Sequence, residues 1–202
     1  MNTKPETNAE EDRRGTTTDD REDETLMQAL QRGDDGALAA LMARWETGVK
    51  VFLLRLGVRP SDVEDVAQET FIRVYEKRAS FRADAAFKPW LLTVAGNLGR
   101  NRLRWRFRRR EESLDTANDA AGTEMSNSEA IDIGAHVRAA VDTLPDKLRH
   151  AVVCVEMEDL SYHEAAQAAG CTPKAIETRL YRARELLRRR LKGILAKEDQ
   201  AV

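Results

Sequence analysis

The spacing of the apolar residues constrains this chain more than any other feature. They return every three or four positions, as in Leu38, Leu41, Met42, Trp45, Val49, Phe52 and Leu56, then Val63, Val66, Ala67, Phe71 and Val74, and finally Ile176, Leu180, Ala183, Leu187 and Leu191. That period places them on one face of successive helices, and no segment alternates with the period of two that a strand requires. The predicted fold class is all-α. The longest unbroken apolar runs, such as Ala151 to Val155, fall far short of the roughly 18 residues of a membrane span, so no membrane insertion is expected.

Punctuation divides the helices into two small domains. Gly57 and Pro60 separate two of them, and Ser61-Asp62-Val63-Glu64 has the form of a capping box that starts the next. Pro89 suits the first turn of a helix running through Leu91, Val94, Leu98 and Arg102. Ser161 to Glu164 is a second capping box, Gly170 suits a left-handed helix end, and Thr172-Pro173 opens the last helix. Residues 1–23 are acidic and lack periodicity, and are expected to form a disordered tail. The expected divisions are a helical domain over 24–110, a flexible linker over 111–130, a second helical domain over 131–195 and a short tail over 196–202. The N-terminus has no apolar stretch that would make it a secretory signal or transit peptide, so the protein is expected in the cytoplasm. Cys154 and Cys171 are too few for a disulfide framework and read as reduced thiols.

Charge is distributed unevenly. Residues 1–24 hold four cations against nine acids, a balance of -5, which leaves +3 for the rest of a chain whose formal total is -2. Two blocks carry most of the excess. One contains Arg100, Arg102, Arg104, Arg106, Arg108, Arg109 and Arg110; the other begins at Lys174 and runs through Arg179, Arg182, Arg184 and Arg188 to Arg190 and Lys192. Local positive charge is what counterion release rewards, so the blocks point to two contacts with a polyanion. Trp105 and Phe107 alternate with arginines in the first block, a pattern suited to stacking unpaired bases while neutralising phosphates. Asn97 and Asn101, one turn apart, have amides able to read base edges. The second block follows a short helix and a glycine turn, the form of a helix-turn-helix whose second helix presents Lys174, Glu177, Thr178, Arg179, Tyr181 and Arg182.

The run Asp62 to Tyr75 (DVEDVAQETFIRVY), the loop from Phe81-Arg82 to Phe87 with Trp90-Leu91, Asn97 with Asn101, Leu144-Pro145, Leu160 to Ala166 and Tyr181 to Glu185 together resemble a bacterial sigma factor. The resemblance is to the sigma-70 family's small extracytoplasmic-function (ECF, group IV) subgroup, which keeps regions 2 and 4, and it extends from about Glu24 to Leu195. It implies that region 2 docks on core RNA polymerase through Asp62, Asp65, Gln68, Glu69 and Arg73. It implies that Phe81, Arg82, Phe87, Trp90, Asn97, Arg100, Asn101, Arg104 and Trp105 recognise and melt the minus-ten element of promoter DNA. Region 4 would read the minus-thirty-five element with Thr172, Lys174, Glu177, Thr178, Arg179, Tyr181 and Arg182. An anti-sigma factor is a further implied partner, and the implied role is transcription initiation for a stress or envelope-signal regulon. The chain departs from the family at Ala83 and Ala85, where Gly and Ser are frequent, and at Glu177, where a basic residue is common.

Other classes fit less well. His136, His150 and His163 form no constellation with a nucleophile, so no enzyme, catalytic residue, cofactor or small-molecule substrate is expected. His150 and Cys154 stand one turn apart without a second pair, and are expected to be a surface His beside a buried Cys rather than a metal site. The alternative is a helix-turn-helix regulator that binds duplex DNA without engaging polymerase. The acidic helix and aromatic-basic segment of the first half argue against it.

Overall fold

The computed structural model describes residues 18–82, 84–112 and 133–198. Among the described residues eight α-helices follow in order: α1 (Thr18–Gln31), α2 (Asp35–Arg55), α3 (Pro60–Lys77), α4 (Phe87–Glu112), α5 (Ile133–Asp142), α6 (Asp146–Val152), α7 (Tyr162–Ala169) and α8 (Pro173–Glu198). A 3₁₀ turn over Arg78–Ser80 follows α3, and a π-helical turn over Val153–Met157 extends α6. There is no strand among the described residues, as the periodicity requires.

The first four helices form one bundle. Met27 and Leu30 of α1, Leu41, Phe52 and Leu53 of α2, Phe71 and Val74 of α3, and Leu91 and Leu92 of α4 are buried together. Gln31 ties the bundle's loop down, its Nε2 donating to the carbonyls of Arg78 at 2.7 Å and Phe81 at 2.8 Å. The second body is built on α8, against which α5, α6 and α7 pack around Ile176, Leu180 and Ala183. Its punctuation is as the sequence predicts. Ser161 and Glu164 make the reciprocal capping box, Gly170 ends α7 at φ 57°, and Thr172 Oγ1 accepts from the amide of Ala175.

Two expectations change. Helix α3 starts two residues earlier than the supposed box implies: Arg59 rather than Ser61 is the N-cap, Pro60 occupies the first turn, and no side chain caps the end. Glu64 instead pairs with Lys50 at 2.6 Å, tying α3 to α2. The acidic tail does not extend to residue 23, because α1 begins at Thr18 and Asp23 is buried. Asp23 accepts from Arg44 Nε at 2.7 Å and from Trp45 Nε1 at 2.8 Å, so a carboxylate leaves water only because two donors of α2 replace it. The expected linker overlaps little with the described residues, since α4 runs to Glu112 and α5 begins at Ile133.

The two bodies touch. Helix α7 lies across α4, which makes α4 the element shared by both. Among the described residues no helix is long and apolar enough to cross a membrane.

Asp23→Ala should lower unfolding free energy by about 1–3 kcal/mol, because the indole N–H and the Arg44 guanidinium lose a buried acceptor. Urea denaturation followed by helical circular dichroism would read it; an unchanged midpoint would mean that α1 does not anchor the bundle.

Candidate docking face and nucleic-acid interface

The exposed stripe of α3 holds Asp65, Gln68, Glu69, Ile72, Arg73 and Glu76. Arg73 bridges Glu69 at 3.3 Å and Glu76 at 2.8 Å, which arranges the charges along the helix. Asp62 differs from the others. Its carboxylate is mostly buried and lies 3.2 Å from Arg59 Nη2 and 3.7 Å from Arg102 Nη2. Ile72 was not singled out from sequence, yet it is 56% exposed beside a groove of about 500 Å³ lined by Leu38, Met42, Gln68, Phe71 and Tyr75. The signal was an apolar residue one turn after Gln68, interrupting a polar stripe. A large apolar side chain at the edge of an apolar groove, rimmed by charge, is the form of a protein-docking surface.

The loop before α4 is anchored by aromatic packing. Phe81, Phe87 and Trp90 meet at centroid distances of 5.3–6.1 Å, and Trp45 joins edge-on at 6.1 Å. Phe81 and Phe87 are fully within the core. The expectation of direct nucleic-acid contact is therefore corrected for these two rings, since burial leaves neither a face for a base. Their work is to hold the loop in shape. Trp90 is half-buried, while Arg82 is exposed and forked onto Asp84 at 2.7–3.0 Å.

Beyond the loop, α4 changes character along its length. Leu91, Leu92, Val94 and Ala95 are buried, whereas Asn97, Asn101, Arg104 and Trp105 are exposed. Asn101 and Trp105 line a pocket of about 260 Å³ with Leu98, Arg102, Asp65 and Glu69, so the amide and the aromatic ring expected to meet an unpaired base share one concavity. Arg102 was read from the sequence only as one cation of the first basic block. It bridges that pocket to the docking helix, reaching Asp65 at 3.5 Å as well as Asp62. Arg100 is the exception among the expected contacts. It is half-buried under region α7–α8, where its Nη2 donates to Asn97 Oδ1.

The third surface is α8. Thr172, Lys174, Glu177, Thr178, Tyr181 and Arg182 are all exposed, Tyr181 to 70%. Lys174 pairs with Glu177 at 2.7 Å, so that carboxylate is already engaged by a cation of its own helix. Arg179 is drawn aside, with Nη1 3.2 Å from Cys171 Sγ. Six of the seven expected residues thus form one solvated face, and Arg179 lies at its edge.

Two buried groups lie behind these faces. His150 was expected at the surface beside buried Cys154, but both are buried, with Nδ1 3.5 Å from the sulfur. Helix α4 covers the imidazole, which a helical spacing of four cannot reveal. Burial lowers His150 to about 4, helped by Arg100 from α4 and Arg179 from α8. Burial likewise pushes the Cys154 thiol up to about 12, with Glu158 adding to the effect. Among the described residues, no group of three or more His, Cys, Asp or Glu side chains is placed to hold a metal ion.

The comparisons with known proteins divide at the same place as the two helical bodies. The family model for sigma-70 region 2 matches residues 41–110, and that for sigma-70 region 4 matches residues 136–187. The RNA polymerase sigma-H factor of Pseudomonas aeruginosa is 32% identical over 185 residues, covering 86% of this chain and 96% of the relative. The ECF RNA polymerase sigma-E factor of Escherichia coli K12 is 33% identical over 184 residues, with the same coverage of both chains. Among solved structures, CnrH in complex with the cytosolic domain of CnrY superposes with a TM-score of 0.62 at 26% identity, over 85% of this chain and 98% of that one.

A His150 that is neutral when folded and ordinary when unfolded adds stability above pH 6.5. That increment fades as pH falls from 6.5 towards 4, where the unfolded chain takes up a proton that the folded one refuses. The loss should approach about 3 kcal/mol at ~1.4 kcal/mol per pH unit of difference. Lowering the pH from 7.5 to 4.5 should reduce the urea midpoint of the parent more than that of His150→Leu; parallel curves would show that the imidazole is not the titrating group.

Proposed function

The chain belongs to the sigma-70 family, in its ECF subgroup, and from that premise we propose how its surfaces divide the work. The protein is a sigma factor that binds core RNA polymerase and directs promoter-specific transcription initiation. The reading rests on one observation: a charged, apolar-edged docking helix and an Asn/Trp pocket share one bundle, while a separate helix-turn-helix carries a second face.

In this reading residues 24–110 are region 2 and 131–195 region 4. Region 2 docks on core polymerase through Asp65, Gln68, Glu69 and Arg73 of α3, with Ile72 entering the contact as its apolar centre. Asp62 supports that face from beneath through Arg59 and Arg102. Charges at the rim steer and orient such an encounter, and the desolvated apolar centre supplies most of the affinity. The minus-ten element is bound as it opens. Asn97 and Asn101 read base edges, Trp105 stacks, Arg82 and Arg104 neutralise phosphates, and the aromatic cluster of Phe81, Phe87 and Trp90 fixes the loop. The half-buried Arg100 belongs to the same face of α4.

Region 4 reads the minus-thirty-five duplex with α8, where Thr172, Lys174, Thr178, Tyr181 and Arg182 face the groove and Arg179 flanks them. Glu177 can accept from a cytosine amino group once Lys174 turns to a phosphate. The chain acts in the cytoplasm, catalyses no reaction of its own and serves a stress or envelope-signal regulon. An anti-sigma factor is a partner of this reading, with CnrH, solved with the cytosolic domain of CnrY, as precedent for a bound protein segment. A duplex-binding regulator that ignores polymerase is not favoured, because the region 2 match covers α3 and α4 together.

Run-off transcription with core polymerase tests the assignment, and no promoter-dependent product from the parent chain would end it. Charge reversal at Asp65 and Glu69 together should weaken core binding at least tenfold with helicity unchanged, as both side chains are exposed.

The two DNA contacts separate by chemistry. Arg182→Ala should cost about 1–3 kcal/mol and relax preference at one minus-thirty-five position if it meets a base edge. Asn97→Ala should impair opening of a matched promoter, and a template already mismatched at the minus-ten segment should partly restore it, because the unstacking cost is smaller. Permanganate footprints of unpaired thymines on both templates would read this.

A further inference from the structure

Helix α8 is longer than its reading face. It runs for 26 residues, from Pro173 to Glu198, whereas the residues assigned to the minus-thirty-five duplex stop at Arg182 and the region 4 match stops at residue 187. The face itself continues. Steps of four and three residues carry one stripe of the helix from Lys174 through Thr178, Tyr181 and Glu185 to Arg188 and Lys192, and Arg189 follows Arg182 seven residues on. Every member of this stripe except Glu185 is exposed. Ile176, Leu180 and Ala183 are buried on the opposite side, so packing fixes which way the stripe looks.

Charge on the extension is one-sided. Between Ala183 and Lys192 the only acid is Glu185, and Arg188 of the next turn pairs with it. Arg184, on the flank, is engaged by Glu156 of the π-helical turn. With the stripe's acid taken, Arg189 and Lys192 leave two uncompensated charges at its far end.

Length decides what those two cations meet. From Arg182 to Lys192 the helix advances about 15 Å at ~1.5 Å per residue, and a major groove is only ~12 Å wide. A straight helix whose first turns lie at base edges has therefore passed the groove's edge by Arg189, and the border of a groove is sugar and phosphate. An acidic protein surface would match the sign of the charge. It would not account for the register, which sets Arg189 and Lys192 on the side of α8 that Tyr181 and Arg182 present to the duplex.

We propose that Arg189 and Lys192 form a phosphate clamp at the far end of α8, extending the duplex contact of region 4 past its base-reading residues. The inference rests on the sigma-factor reading for the duplex it names. Phosphate contacts fix register and orientation without carrying sequence information, and each one releases condensed counterions. The clamp therefore adds affinity for any duplex and steepens its salt dependence, while the choice of bases stays with the residues from Thr172 to Arg182.

The full chain and a fluorescently labelled duplex of mixed sequence, titrated by anisotropy over a range of KCl concentrations, test the clamp. Replacing both cations, Arg189→Ala with Lys192→Ala, should flatten the slope of log Kobs against log[KCl] by about 1.8, at ~0.9 per phosphate, with helicity unchanged. Arg190→Ala, set roughly 100° around the helix from Arg189, should keep the parent's slope. An unchanged slope in the double variant would overturn the clamp, and is the outcome if the stripe serves an acidic protein surface instead. A fall of about 0.9 with Arg190→Ala would overturn it too, because charge at large rather than this face would then explain the binding. Run-off transcription keeps the two readings apart. A parent that gives no promoter-dependent product, with the slope difference intact, would end the sigma-factor reading and leave the clamp standing.

Discussion

The close approach that α4 permits on two flanks is the constraint on which the rest of the molecule depends. At Gly99 a Cβ would meet Leu53 at 3.2 Å and Val58 at 3.4 Å, so the missing side chain lets α4 sink into its own bundle. At Gly96 the same absence admits α7. Glycine costs helix stability of roughly 0.5–1 kcal/mol relative to alanine, so two in one helix need a return from packing. They find it in the buried run Leu91, Leu92, Val94 and Ala95, which is covered from both sides. One helix can then serve as core element, nucleic-acid face and seam, because its first half is buried while its second half carries arginines into solvent.

How much of this was legible in the sequence depends on how local each feature is. The ends of α7 and the start of α8 follow from Ser161, Glu164, Gly170 and Thr172, whose partners lie within five residues, and the structure has each as read. The start of α3 was misread for an equally local reason: Pro60 can occupy the first helical turn, which leaves Ser61 inside the helix and frees Glu64 for Lys50. Long-range burial was out of reach. Nothing near Asp23 announces that Arg44 and Trp45 will take its carboxylate, and nothing near His150 announces α4 above it. Phe81 and Phe87 carry the same lesson. Their expected contact came from the family resemblance, and the partners that bury them, here Trp45 and Trp90, lie too far along the chain to be read from the loop itself.

The arginine block shows why composition overstates a binding surface. Seven arginines between residues 100 and 110 read as one basic patch. In the fold the first two are occupied: Arg100 lies under region 4, and Arg102 bridges Asp62 and Asp65. Arg104 is exposed. Positive charge on α4 is in this sense partly latent, withheld by contacts that belong to other functions.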